Sequence, residues 1–240
     1  FGVIIGSFLG VCIYRLPRGQ SIAVPPSHCP HCSARLGILD LIPLLSYISS
    51  RGRCRYCQRA ISPRYFVVEL LTALLFLWCY YAGGLNIRLA ENLVLTSFLI
   101  VIAFIDYDWQ LILDNVLLLF AATGAAISFA LGTGLREMLL AAVAGGGILL
   151  AVALISRGGM GGGDIKFVAA LGFWLGWPDI LLAIFLSFLL GGVVSLILLI
   201  LRLKGRKDMI PFGPFIAAAT YLTVLYGTQI LDWYLRRVFS

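Results

Sequence analysis

Eight long apolar stretches divide this chain, at 1–14, 65–82, 90–106, 111–131, 136–156, 165–178, 180–203 and 214–235. A helix needs about 20 residues to cross a bilayer, and most of these stretches supply them. In lipid every backbone polar group must be satisfied internally, which at these lengths means helices. With 61% hydrophobic and 12% charged residues, too little polar surface is available to coat a soluble domain. The fold class expected is therefore an all-α polytopic membrane protein of about eight transmembrane helices. Stretch 165–178 is short. It is expected either to borrow length from the glycines before it or to form a broken, re-entrant element covered by protein. The chain opens in apolar sequence at Phe1 without an initiator Met, so further residues are expected upstream. Residues 1–14 read as a retained span rather than a cleaved signal, because a basic segment follows and no small-residue cleavage site does.

Charge sets the expected orientation. If all eight stretches span, Arg88, Arg136, Arg236 and Arg237 fall on one side and the other 14 of the 18 basic residues on the opposite side. The positive-inside rule then places segment 15–64 in the cytosol. The net charge of +7 follows from this asymmetry. It does not call for a nucleic acid, since the basic residues are scattered over several loops. The expected organisation is a first helix at 1–14, a small cytosolic zinc-binding insertion at 15–64, and a membrane domain at 65–240.

Segment 15–64 is too small to build much of a core and needs a staple. Cys29-Pro30-His31-Cys32 and Cys54-Arg55-Tyr56-Cys57 supply one. Each CxxC places two thiolates on a tight turn, and two such turns complete a tetrahedral site. The 21 residues between the pairs lie just above the usual zinc-ribbon range. The cytosol disfavours the disulfide alternative. Cys29, Cys32, Cys54 and Cys57 are thus expected to hold a structural Zn2+, against rival readings as metal-free or redox thiols. Four thiolates leave no open position for water, which argues against catalytic zinc. The only histidines, His28 and His31, flank the cluster and read as bystanders. Cys12 and Cys79 read as small buried hydrophobes in apolar helices.

Carboxylates within or beside apolar stretches are costly and point to function. Asp106 ends one stretch, and Asp114 begins the next. Asp164 follows the run Gly158-Gly159-Met160-Gly161-Gly162-Gly163. Asp108 reads as a solvated loop residue. Asp114 and Asp164 each suit a helix N-cap. An N-cap alone leaves the glycine run unexplained. Charge counting puts Asp106 and Asp164 on the same side of the membrane. If they face each other they share a proton, one acting as general base on water and the other polarising a carbonyl. The pair then titrates as a unit. Competing hydrolytic chemistries lack their residues: no histidine is left for a Ser-His-Asp triad, and there is no H-E-x-x-H. The glycine run does not end in Gly-Lys-Ser/Thr, so it is not a P-loop.

The chain resembles the type IV prepilin peptidase family, the GxGD-type intramembrane aspartic proteases. The resemblance runs through Gly6-Ser7-Phe8-Leu9 and Ile13-Tyr14-Arg15-Leu16-Pro17. The two CxxC pairs bracket Ile42-Pro43-Leu44-Leu45-Ser46-Tyr47. Next come Arg51-Gly52-Arg53-Cys54-Arg55, Ile61-Ser62-Pro63-Arg64-Tyr65 and Val68-Glu69-Leu70-Leu71. Ile105-Asp106 with Asp114, Gly161-Gly162-Gly163-Asp164-Ile165-Lys166 and Pro211-Phe212-Gly213-Pro214-Phe215 complete the series. The resemblance implies that Asp106 and Asp164 are the catalytic pair of an aspartyl endopeptidase in the bacterial inner (cytoplasmic) membrane. It also implies cleavage of prepilin or pseudopilin leader peptides at the cytosolic face. N-methylation of the new N-terminus with S-adenosylmethionine is implied as a second activity. Gly10 and Leu41 stand where Asn is common in the family, which bears on methylation. Leu113 stands where Pro usually precedes the second acidic residue. Glu69 is expected to serve methylation or to pair with a nearby Arg. Lys166 is expected to hold a negative group or to meet lipid headgroups.

Three other readings compete. A peptidase without methyltransferase activity needs only the aspartates. A transporter using intramembrane carboxylates would suit a glycine-broken helix, but it predicts an internal repeat, and none is evident. A zinc-bearing scaffold requires no buried aspartates.

Overall fold

The computed structural model describes residues 1–156, 159–205 and 208–238. Gly158, which opens the glycine run, lies outside the described residues, as do Arg157, Arg206 and Lys207 of the charge count. Among the described residues there are only helices, turns and two isolated β-bridges. The helices are α1 (Gly2–Arg15), α2 (Leu45–Ser49), α3 (Pro63–Gly83), α4 (Ile87–Trp109), α5 (Asp114–Ala130), α6 (Leu135–Ile155), α7 (Gly162–Leu175), α8 (Asp179–Ile200) and α9 (Gly213–Val238). Apart from the five-residue α2, they coincide with the eight apolar stretches.

Five are long and apolar enough to cross a membrane: α3, α4, α6, α8 and Gly213–Tyr234 of α9. Helix α5, with 17 residues, is apolar but shorter. Helices α1 and α7 have 14 residues each, which is about 21 Å of helix against a hydrocarbon core of about 30 Å. Helix α7 borrows only Gly162 and Gly163 from the glycine run before Gly161 takes the N-cap. It stops at Gly176, whose φ of 68° suits glycine best.

The chain divides into two compact units, Phe1–Val101 and Ile102–Ser240. In the first, α1 lies against α3 through glycines one helical turn apart. A Cβ at Gly2 would stand 2.7 Å from the Ala73 Cα, and one at Gly6 2.7 Å from the Glu69 Cα. Between apolar helices in lipid there is little hydrophobic driving force, so small residues that let backbones touch are how such pairs hold together. Helix α3 starts on Ser62, whose hydroxyl accepts the Arg64 N–H, with Pro63 at the first helical position. Below α1, the buried Arg15 donates to the carbonyls of Ser21 (2.9 Å) and Pro25 (2.8 Å), fixing the start of the insertion.

In the second unit α7 is the central element. The missing side chain of Gly172 lets α7 touch the backbone of α6 at Ala142. Trp174 Nε1 donates to the Phe120 carbonyl of α5 at 2.9 Å, and its ring stacks on Phe120 at 5.3 Å. Phe167 and Leu171 of α7 are fully buried. These contacts fix the axis of α7, and with it the placing of its first turn.

Candidate active site and metal centre

The insertion is two copies of one small device. Cys29 donates its N–H to Ala34 O (3.0 Å) and accepts the Ser33 N–H (2.9 Å). Twenty-five positions later Cys54 donates to Arg59 O (2.8 Å) and accepts from Gln58 (2.8 Å). The bridges His28–Arg35 and Arg53–Ala60 keep the same offset, as do the left-handed residues Ser33 (φ 56°) and Gln58 (φ 58°). This local repeat was not evident in the sequence, because it resides in hydrogen bonds rather than in side-chain identity. It brings Cys29, Cys32, Cys54 and Cys57 together with all sulfurs within 4.8 Å of one another. The Cys29 and Cys57 sulfurs are 3.9 Å apart, close to the roughly 3.8 Å that tetrahedral Zn–S bonds of about 2.3 Å require. Burial alone would raise the Cys29 thiol. The N–H groups of Cys32 and His31 and the thiols of Cys54 and Cys32 outweigh it and bring it down to about 6. Cys57 receives the Arg59 N–H, yet burial and its three sister thiols push it up to about 11. Four thiols that cannot all ionise together are the donor set a divalent cation fits, so this cluster can hold a metal ion. Neither histidine enters it: His28 Nδ1 meets the Pro26 carbonyl at 2.9 Å and His31 Nδ1 meets Arg59 at 3.4 Å.

Glu69 has a backbone partner. It is buried on α3, and its Oε2 accepts the Leu44 N–H at 2.7 Å, where Leu44 has φ 60°. The carboxylate anchors a left-handed turn of the insertion to the helix after it. Cys12 and Cys79 are buried, as expected, and the Cys79 sulfur lies 3.7 Å from the Thr96 hydroxyl.

The carboxylates of the second unit separate into two classes. Asp106 occupies the last turn of α4 and is 5% exposed, and Asp164 occupies the first turn of α7 and is 9% exposed. They lie within electrostatic reach of each other. Asp108 and Asp114 are exposed. Neither proposed N-cap holds: Leu113 caps α5, and Gly161 caps α7. Asp164 is the third residue of its helix, so its charge still faces the positive end of the dipole. Asp114 pairs with Lys166, the Nζ lying 2.7 and 3.0 Å from its two oxygens. Lys166 therefore ties the start of α7 to the start of α5, rather than meeting headgroups alone.

Glycines crowd the two buried carboxylates. A Cβ at Gly161 would stand 3.1 Å from Asp164 Oδ2, and one at Gly163 3.1 Å from Ile112. Gly161 thus lies close to Asp164, and Gly163 close to the segment linking α4 to α5. Asp106 Oδ2 accepts the N–H of Gly213, the first residue of α9, at 2.8 Å. Nothing in the Pro211–Phe215 motif itself names Asp106 as a partner; its one signal is a glycine opening an apolar helix. Two buried carboxylates within electrostatic reach of each other resist ionising together, which is the property a general acid–base pair uses.

Two family models match the chain. The bacterial peptidase A24 N-terminal domain covers residues 1–82, which include all four clustered cysteines, and the type IV leader peptidase family covers residues 93–196, which include Asp106 and Asp164. A prepilin leader peptidase/N-methyltransferase of Aeromonas hydrophila is 36% identical over 265 residues, covering 98% of this chain and 91% of the relative. One of Bacillus subtilis is 36% identical over 237 residues, covering 98% and 96%. One of Pseudomonas aeruginosa is 34% identical over 264 residues, covering 98% and 91%. No solved structure matches. With near full-length identity at this level on top of an all-helical membrane fold, the chain is a peptidase belonging to the type IV leader peptidase family.

Proposed function

We propose that this protein is an intramembrane aspartyl endopeptidase that removes leader peptides from type IV prepilins or pseudopilins. The observation that carries the reading is that Asp106 and Asp164, 58 positions apart, are both buried and lie within electrostatic reach of each other. The ionised carboxylate takes a proton from water, and the hydroxide adds to the scissile carbonyl carbon. The protonated carboxyl gives its proton to the carbonyl oxygen. The gem-diol intermediate then collapses as one of its hydroxyls returns a proton to the dyad, the C–N bond breaks, and the amine leaves with a proton that the dyad gives it. Gly162, where a Cβ would meet nothing within 4 Å, leaves space near Asp164 for an extended substrate backbone to approach.

The basic residues support a cytosolic position for the insertion and for both aspartates, in the bacterial inner membrane. The insertion at 15–64 would act as a zinc-stapled unit, followed by the peptidase domain at 65–240. The four-cysteine donor set favours zinc held structurally, since no ligand position is left for water. The relatives' names include N-methyltransferase. The same protein is thus proposed to methylate the new N-terminus, with S-adenosylmethionine as the methyl source.

The test is cleavage of a prepilin by purified enzyme, with mass spectrometry of the product. Asp106→Asn and Asp164→Asn should each lower cleavage at least about 10²-fold, and normal turnover by either would sink the mechanism. A mature product carrying one added methyl group supports the second activity, and an unmodified product in the presence of S-adenosylmethionine removes it.

A further inference from the structure

The group that holds Asp106 comes from 107 positions away, at the opening of the last helix. We infer that Gly213 is a positioning residue for peptide cleavage: its backbone N–H anchors Asp106 Oδ2, and its missing side chain makes room for that carboxylate. The inference rests on Asp106 being one of the catalytic pair. The N–H can only donate, so Oδ2 is fixed as an acceptor, and Oδ1 is left to exchange the proton with water.

The start of α9 supports this assignment group by group. A helix leaves its first N–H groups without intrahelical partners. Here Pro214 has none to offer, while Phe215 and Ile216 donate to the Phe212 carbonyl at 3.0 and 3.2 Å. The Gly213 N–H goes to Asp106. Space points the same way. A Cβ at Gly213 would stand 2.7 Å from Asp106 Oδ2 and 3.0 Å from its Cγ. Gly213 is not among the glycines with positive φ. Its lack of a side chain therefore serves the carboxylate rather than the backbone. Phe212 holds the donor in place: its ring packs on Phe188 at 5.3 Å and on Phe215 at 6.3 Å. A Cβ at Gly191 of α8 would stand 3.1 Å from that ring. The line of support runs from α8 through Phe212 to the Gly213 N–H and so to Asp106.

The experiment measures kcat, KM and the pH–rate profile of full-length enzyme in lipid vesicles with a prepilin substrate. Gly213→Ala should lower kcat about 10- to 100-fold with KM nearly unchanged, because a displaced catalytic group costs turnover rather than binding. The acid limb of the profile should move by about half to one pH unit, the size expected for one hydrogen bond to a carboxylate. Phe212→Ala should shift both in the same direction by less. Gly147→Ala, whose Cβ would meet nothing within 4 Å, should match wild type. Wild-type kinetics in Gly213→Ala overturn the inference, and so does a loss of kcat with an unmoved acid limb, which marks mere damage to the fold. Asp106→Asn separates the two levels. If it still cleaves, the dyad reading falls and takes Gly213 with it. If it is dead while Gly213→Ala behaves as wild type, only the role of Gly213 falls.

Discussion

The insertion and the helical region around the carboxylates achieve order by opposite means. In the insertion, Ile38 is 87% exposed, Leu39 63% and Leu45 65%, while the best-buried side chains include Cys29 and Cys54. It has too little apolar interior to hold itself, so its order is concentrated in four thiols on two turns. Around α7 the order is spread over many contacts of bare backbone. Gly172 meets Ala142, Gly146 meets Ala169, and the Gly124 position lies beneath the Trp174 indole. Where water surrounds a segment, a staple can replace a core. Where lipid surrounds it, close contact must do the work, because burying apolar surface against another helix gains little over lipid. A further consequence concerns chemistry. Backbone contact without intervening side chains is stiff, and stiffness is what a pair of carboxylates needs to keep one geometry.

The comparison can be broken at several points. The largest effect is expected at the aspartates themselves: Asp106→Asn or Asp164→Asn should lower kcat about 10²- to 10⁴-fold, the range of a lost general acid or base. Circular dichroism should be unchanged, and a folded, active Asn variant would remove the functional half of the contrast. Next in size is the metal. Chelation, or Cys29→Ser with Cys54→Ser, should render residues 15–64 sensitive to trypsin while the helices from α5 onward stay resistant. Protease cutting both regions at equal rates would show that the insertion is not a separately stapled unit. Metal analysis of untreated protein finding no zinc would show the same.

A smaller effect tests the glycine contacts. Gly172→Val should force α6 and α7 apart and cost about 1–3 kcal/mol, read as a fall in melting temperature. Cleavage should fall too, since α7 carries Asp164. The smallest effect is at the rim: Lys166→Met should change stability by about 1 kcal/mol or less, because the Lys166–Asp114 pair is 60% and 72% exposed. A large loss of activity in that variant would mean the pair does more than join two helix starts.

Much of this architecture was readable before any coordinates. Hydropathy located the long helices, five of which, among the described residues, are long and apolar enough to cross a membrane. The lengths were less readable: α1 and α7 have only 14 residues each. Asp106 and Asp164 stood out because charge beside apolar sequence is costly, and four cysteines stood out by spacing. The failures share a cause. Asp114 and Asp164 looked like N-caps because a cap is a local pattern, yet Leu113 and Gly161 take those places. Glu69 accepts the Leu44 N–H, a backbone partner that no local pattern marks.

What the sequence determined alone was therefore of two kinds, the solvent each segment prefers and the residues whose chemistry is out of place in it. Both depend on composition within a turn or two of helix. Tertiary structure alone decided the partners: Lys166 with Asp114, Trp174 with the Phe120 carbonyl, and the Gly213 N–H with Asp106. Two of those acceptors or donors are backbone groups, which every residue carries alike. No residue type marks the Phe120 carbonyl, and a glycine at 213 permits the contact without naming its partner, so the packing of α7, α8 and the start of α9 decides which carbonyl or N–H faces which side chain.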